Sequence, residues 1–227
     1  MSTQRFTDLL REQNHTTWEK AVSHRFVQEL FDATIDDSVM ASYLVQDYRF
    51  LDSFLVLLGA SVSTADALEP RLRFAQFIGE IAGDENTYFL DAFDALGVSE
   101  KQREEIPNTE PTTAFCALMR EAAETRDYVA IVAVLLVAEW LYLDWATRGA
   151  RPLPDNFVHA EWIRLHDFPE FHERIAFLRA ELDRVGPARR AVAQDFFHRA
   201  VEIELAFFDA AYAHPVTGEN QLHYLLI

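Results

Sequence analysis

The chain has 227 residues, half of them hydrophobic and 13% aromatic, which is enough apolar material for a sizeable core and excludes disorder despite the charge. Its formal net charge of −17, from 37 acids against 20 Lys and Arg, excludes nucleic acid and anionic membrane surfaces as partners, because both recruit clustered cations. A single cysteine, Cys116, excludes an internal disulfide framework and a Cys-rich zinc site, and fits a reducing cytoplasm, where the protein is expected.

Apolar residues recur at three- and four-residue intervals along nearly the whole chain, which predicts amphipathic helices throughout. A first helix is predicted over Gln4 to Asn14 and a second over Thr17 to Ala33. Asp36-Asp37-Ser38 then caps a third that reaches Leu58. Thr64 with Asp66 opens a fourth ending near Gly83, and a fifth runs to Leu96 before Gly97. Ser99 with Gln102 has the spacing of a capping box. Pro107 to Pro111 reads as a loop, with Thr112 or Thr113 starting the next helix. Asp127 caps a very apolar helix through Ala146. Its Val129 to Ala146 stretch is long enough to span a bilayer, but Glu139 and Asp144 would be costly in lipid, so a buried core helix is expected. After the turn signal at Gly149 to Pro154, three further helices cover Asp155 to His166, Pro169 to Val185 and Pro187 to Ala213. No alternating strand pattern, repeat or composition shift intervenes. The expectation is an all-α, single-domain helical bundle over residues 1–227.

Three acids fall where this periodicity predicts core. Asp47 shares a helical face with Tyr43, Phe50, Phe54 and Leu58. Glu139 has Leu135, Leu136, Tyr142 and Leu143 one turn away, and no Lys or Arg in its own predicted helix to pair with. Glu204 is flanked by Ala200, Val201, Phe207 and Phe208. An ionised carboxylate on an apolar face costs several kcal/mol unless it is paired or hydrogen-bonded, so three of them point to a shared internal cavity. Asp91, Asp94, Glu100, Glu104, Glu105, Glu121 and Glu124 fall on solvent faces. A di-iron bundle needs two Glu-x-x-His pairs, and only Glu12 to His15 has that spacing. His24 and His166 could face the core as haem ligands, but a lone histidine there more often packs or hydrogen-bonds. Neither a metal nor a cofactor is expected. Cys116, in Thr-Thr-Ala-Phe-Cys, reads as a small buried residue rather than a nucleophile.

The same residues resemble the TenA family, the thiaminase II-like aminopyrimidine hydrolases. The resemblance rests on Trp18 with His24-Arg25-Phe26, Tyr43 to Tyr48 with Phe50, Trp162-Ile163-Arg164-Leu165-His166 with Phe171, and Glu204 through Phe207-Phe208 to Tyr212. It implies a helical bundle of the haem-oxygenase type, assembled as a homo-oligomer (a tetramer or a dimer). In one branch of that family a catalytic Cys precedes a Trp-x-Tyr motif. Here Trp140-Leu141-Tyr142 is preceded by Ala138 and Glu139, which resembles a second branch in which a Glu one position later takes over. That branch implies hydrolysis of thiamine breakdown products such as formylaminopyrimidines, for salvage, rather than thiaminase activity. The site residues implied are Glu139 and Glu204 as the acid/base pair, Asp47 on an exocyclic amine, and Tyr43, Phe50, Phe115, Tyr142 and His166 around the ring, with Trp140 a further stacking candidate. Two other readings remain open on the residues alone: a non-catalytic pyrimidine-binding or regulatory protein of this type, and a metal or haem oxygenase on the same bundle.

Overall fold

The computed structural model describes residues 4–149, 151–213 and 215–216. Among these it contains thirteen α-helices, one π-turn, one 3-10 turn and no strand. The helices are α1 Phe6–Gln13, α2 His15–Val22, α3 Arg25–Phe31, α4 Asp37–Tyr48, α5 Phe50–Thr64, α6 Leu68–Glu80, α7 Asn86–Ala95, α8 Glu100–Glu105, α9 Glu110–Thr125, α10 Tyr128–Arg148, α11 Phe157–Arg164, α12 Pro169–Val185 and α13 Arg190–Ala213. The all-α bundle expected from the periodicity is what forms. Parts of the 1–227 span assigned to the single domain, including both ends, lie outside the described residues.

The axis of the bundle is α10, which packs against α2, α5, α9, α12 and α13. Every residue from Val129 to Val137 is buried, so this helix is apolar on all sides, and such a helix is stable only inside a core. It is long and apolar enough to cross a membrane, and 83% of its apolar window is covered by the other helices. Asp127 caps it, accepting from the Val129 N–H at 3.0 Å. At its far end, Gly149 lies so close to Phe31 of α3 that a Cβ would stand 1.9 Å from the ring, so only glycine fits there. The Ser99–Gln102 capping box forms as expected.

Two expected helices are subdivided and two others are joined. The predicted Thr17–Ala33 helix is interrupted at His24, whose extended backbone starts α3 while its Nδ1 accepts from the Phe26 N–H at 3.1 Å. The predicted third helix breaks at Arg49, whose guanidinium donates to the carbonyls of Arg103 and Ile106, tying the α4–α5 junction to the end of α8. Gly83 does not end a helix: it lies within a π-turn, Ile81–Glu85, that joins α6 directly to α7. In each case the apolar spacing runs on through the break, so periodicity alone does not reveal it. Thr109, rather than Thr112 or Thr113, caps α9, because its hydroxyl receives the Thr112 N–H at 3.4 Å.

Candidate active site

Asp47 sits in the last turn of α4, Glu139 in the middle of α10 and Glu204 in the middle of α13, three separate elements that surround one cavity. Phe50 and Phe54 of α5, Phe115 and Met119 of α9, Ala138 and Tyr142 of α10, and Trp162 and His166 at the end of α11 complete most of its wall. The cavity is thus ringed by aromatics and entered by carboxylates. Of the residues singled out in the sequence, Asp47, Phe50, Phe115, Glu139, Tyr142, His166 and Glu204 all line it. Tyr43 stands one layer behind: fully buried, it holds the Tyr142 hydroxyl with its own at 2.8 Å.

The carboxylates differ in their partners. Glu204 is 1% exposed, and its Oε2 has no hydrogen-bond partner among the described residues. Burial pushes its carboxyl well above the usual range, and the charges of Asp47 and Glu139 push it further. Asp47 is raised well above that range too, by burial first and then by Glu85 and Glu139. Glu139 is also raised by burial, but Arg174 of α12 opposes the rise by its charge and by donating from Nη1 to Oε2 at 3.1 Å. The partner that its own predicted helix does not offer thus comes from a different helix. Three acids cannot all stay charged in so small a low-dielectric space, and Glu139 is the one whose charge is compensated.

Two further side chains complete the site and were not anticipated. Glu85, partly buried, lines the cavity from the last position of the π-turn, and burial followed by the Glu139 charge pushes it up to about 8. The π-turn adds a residue to the helical repeat and so turns this acid inward. Trp162 contributes a buried indole N–H that has no partner among the described residues.

His166 is neutral: burial lowers it to about 4, with Arg174 also disfavouring its charged form. Its Nδ1 lies 2.7 Å from the Trp162 carbonyl, which can only accept, so the proton is on Nδ1 and Nε2 is left as an acceptor. Tyr142 and His166 rings lie 4.8 Å apart.

Trp140, expected among the stacking rings, is not part of the cavity wall. It packs on the other side of α10, 5.1 Å from Trp18 and beneath the guanidinium of Arg179 at 4.2 Å. Trp140 directly follows Glu139, and a helix turns a little over a quarter circle in that single step. His24 stacks on Phe208 while capping α3, and Cys116 lies outside the cavity, with burial raising its thiol.

Comparison with known proteins agrees with this architecture. An aminopyrimidine aminohydrolase from Halalkalibacterium halodurans is 24% identical over 221 residues, covering 95% of this chain and 99% of that protein. Another so named, from Helicobacter pylori, is 22% identical, covering 89% and 96%. Among solved structures, a TenA homologue from Pyrococcus furiosus superposes with a TM-score of 0.80 at 20% identity, covering 91% of this chain and all of that one. A protein from Shewanella denitrificans described as having a heme oxygenase-like fold gives a TM-score of 0.69 at 14% identity, covering 99% and 97%. The model of the TENA/THI-4/PQQC family matches residues 11–214, and the chain belongs to that family.

Proposed function

We propose that this protein hydrolyses a C–N bond of an aminopyrimidine, of the kind released when thiamine breaks down, with Glu139 as general base and Glu204 as general acid. The observation that carries the reading is the unequal environment of two glutamates on one cavity: Glu139 holds a guanidinium at 3.1 Å, whereas Glu204 is buried with an unpartnered oxygen. Environments that push two carboxyls apart assign the base to the ionised one and the acid to the protonated one. The names of the relatives from H. halodurans and H. pylori point to the same chemistry.

A flat ring lying against the Phe50–Phe115 pair and Tyr142 would gain stacking and edge contacts of about 0.5–1.5 kcal/mol per aromatic pair. Asp47 accepts from the exocyclic amine, and the orphan Trp162 N–H and His166 Nε2 offer one donor and one acceptor to the ring edge. Glu139 takes a proton from water as the water oxygen bonds to the carbon bearing the leaving nitrogen. The C–N bond breaks, its electron pair stays on nitrogen, and Glu204 supplies the proton that releases the amine. Solvent exchange then returns the Glu139 proton and reloads Glu204. Ala138, where a related branch carries cysteine, leaves no thiol for a covalent step on this wall, so direct attack by water is the route these residues support.

Glu139→Gln and Glu204→Gln are each expected to lower kcat by about 100- to 10,000-fold on a formylaminopyrimidine or aminopyrimidine while the protein still binds the ring. Turnover by both variants at the rate of the unmodified protein rejects the mechanism. Tight binding of the pyrimidine by the unmodified protein with no product released supports instead a pyrimidine-binding or regulatory role.

A further inference from the structure

Among the described residues, only one Lys or Arg forms an ion pair with a carboxylate of the cavity, and it does not reach the cavity itself. Arg174 projects from α12 into the wall between the cavity and a second groove, of about 470 Å³, lined by Phe74, Phe77, Glu80, Glu170 and Glu173. Its guanidinium donates from Nη1 to Glu139 and from Nη2 to Glu80, the residue immediately before the π-turn that carries Glu85. It also lies over the Phe77 ring at 3.8 Å and within 5.2 Å of Phe171. The side chain is 11% exposed. A planar cation held by two carboxylates and two rings has little rotational freedom.

We propose that Arg174 is the positioning residue of this site: anchored by Glu80 and stacked on Phe77, it fixes the orientation of the Glu139 carboxylate and keeps it negative. The inference rests on the hydrolytic reading for its catalytic consequence, but the control of Glu139 is a property of the protein alone. Glu139 is approached by charged or titratable groups from every side that bears them: Arg174 from α12, Glu80 from α6, Glu85 from the π-turn, Asp47 from α4, Glu204 from α13 and His166 beyond α11. The walls from α5 and α9 present Phe50, Phe54, Phe115 and Met119, which carry no charge. Among the described residues Arg174 is therefore the one positive charge in an acidic surround, since burial disfavours the charged form of His166.

The two ends of the bridge make opposite predictions. Removing the guanidinium leaves Glu139 among like charges and raises its pKa; removing Glu80 takes away a negative charge and releases Arg174 wholly to Glu139, lowering it. In Arg174→Gln, the acid limb of the pH–rate profile should move up by about one unit, which cuts kcat below that limb about tenfold, with KM changed much less. Glu80→Gln should move the limb down, and Arg174→Lys should restore most of the Arg174→Gln shift. If Arg174 only fastens α12 to α6, both Gln variants lose the same clasp and change together. Limbs that move the same way, or not at all, overturn the proposal. The ¹³C carboxyl titration of Glu139 in the substrate-free protein should show the same opposed shifts, and an identical titration in the parent and Arg174→Gln also overturns it. If the unmodified protein turns over no pyrimidine, the hydrolytic reading fails, while this titration still decides whether Arg174 governs Glu139.

Discussion

Helix α10 carries two acids five positions apart, and the bundle treats them in opposite ways. On the side facing α1 and α2, Asp144 accepts from Arg11 at 2.6 Å, from Arg148 at 2.7 Å and from the Trp18 indole at 2.7 Å. Glu19 closes the cluster by pairing with both arginines. Both carboxylate oxygens of Asp144 are answered, although the buried Nε of Arg11 lacks a partner among the described residues. On the cavity side, among the described residues, Glu139 has one donor, Glu204 leaves an oxygen unanswered, and the Asp47 carboxyl forms no hydrogen bond. Buried polar groups left without partners cost about 1–3 kcal/mol each, a cost that a stability-driven fold removes. The contrast separates an acid that holds the protein together from acids held ready for something else.

Exchange of isosteres should expose that contrast most sharply. Asp144→Asn keeps the shape but breaks the pairing with Arg11 and Arg148, which should cost about 2 kcal/mol, reduced from fully buried values because both arginines are a third or more exposed. For a chain of this size that is a fall in Tm of about 4–8 °C, with kcat nearly unchanged. Glu204→Gln should do the reverse: Tm held or raised, because burial and the charges of Asp47 and Glu139 already disfavour its ionised form, and turnover lost. Calorimetry and kinetics on the same two preparations decide the matter, and a Glu204→Gln protein that melts as early as Asp144→Asn would erase the distinction.

A smaller effect should follow from pH. Glu85 is raised to about 8 in the fold, above its unfolded value near 4.5. A raised group contributes stability that is fully present below the unfolded pKa and is lost as pH climbs through the folded one, so the window runs from about 4.5 to about 8. Within it each proton held only by the folded state changes stability by about 1.4 kcal/mol per pH unit. Glu204 and Asp47 act in the same sense. His166 opposes them: lowered to about 4, it favours the fold above the unfolded value of 6.5 and loses that contribution as pH falls towards 4. Stability should therefore rise as pH is lowered from 8 to 6.5, and less steeply below 6.5, where the one histidine offsets only part of the effect of the three acids. Glu85→Gln should flatten the upper part of that curve by one proton's worth, and denaturant melts at pH 6.5 and 8 measure it. An unchanged slope would mean that Glu85 is solvated like the acids of the outer surface.

The sequence allowed much of this to be read, for a definite reason. Asp47, Glu139 and Glu204 stand out because each interrupts an apolar face within its own helix, and that interruption is a local signal. Arg174 is invisible to the same logic, since it reaches Glu139 from 35 positions away on a helix whose exposed face it otherwise resembles. Glu85 is hidden differently: the π-turn breaks the 3.6-residue repeat at the point where the repeat would be used to decide which way the side chain turns. Trp140 misled for the complementary reason, because it adjoins a cavity residue in sequence and α10 is apolar all round, so hydrophobicity could not say which side it takes.

The neighbouring rings of α10 sharpen the comparison at its finest scale. Trp140 supports the structural side, under Arg179 at 4.2 Å and within 5.6 Å of Arg11, where cation–π contacts are worth about 0.5–2 kcal/mol. Tyr142 supports the cavity side, where its hydroxyl meets that of Tyr43 at 2.8 Å, a bond of about 1 kcal/mol. Trp140→Phe should shift Tm down by a few degrees and leave KM for the pyrimidine alone. Tyr142→Phe keeps the ring but leaves the buried Tyr43 hydroxyl without its partner, so it should cost about as much stability and also raise KM as the cavity wall loosens. The two substitutions are thus matched in stability and differ only in KM. Equal KM values in the two variants would place both rings on the structural side of the helix, and the boundary drawn here between Glu139 and Asp144 would have to move.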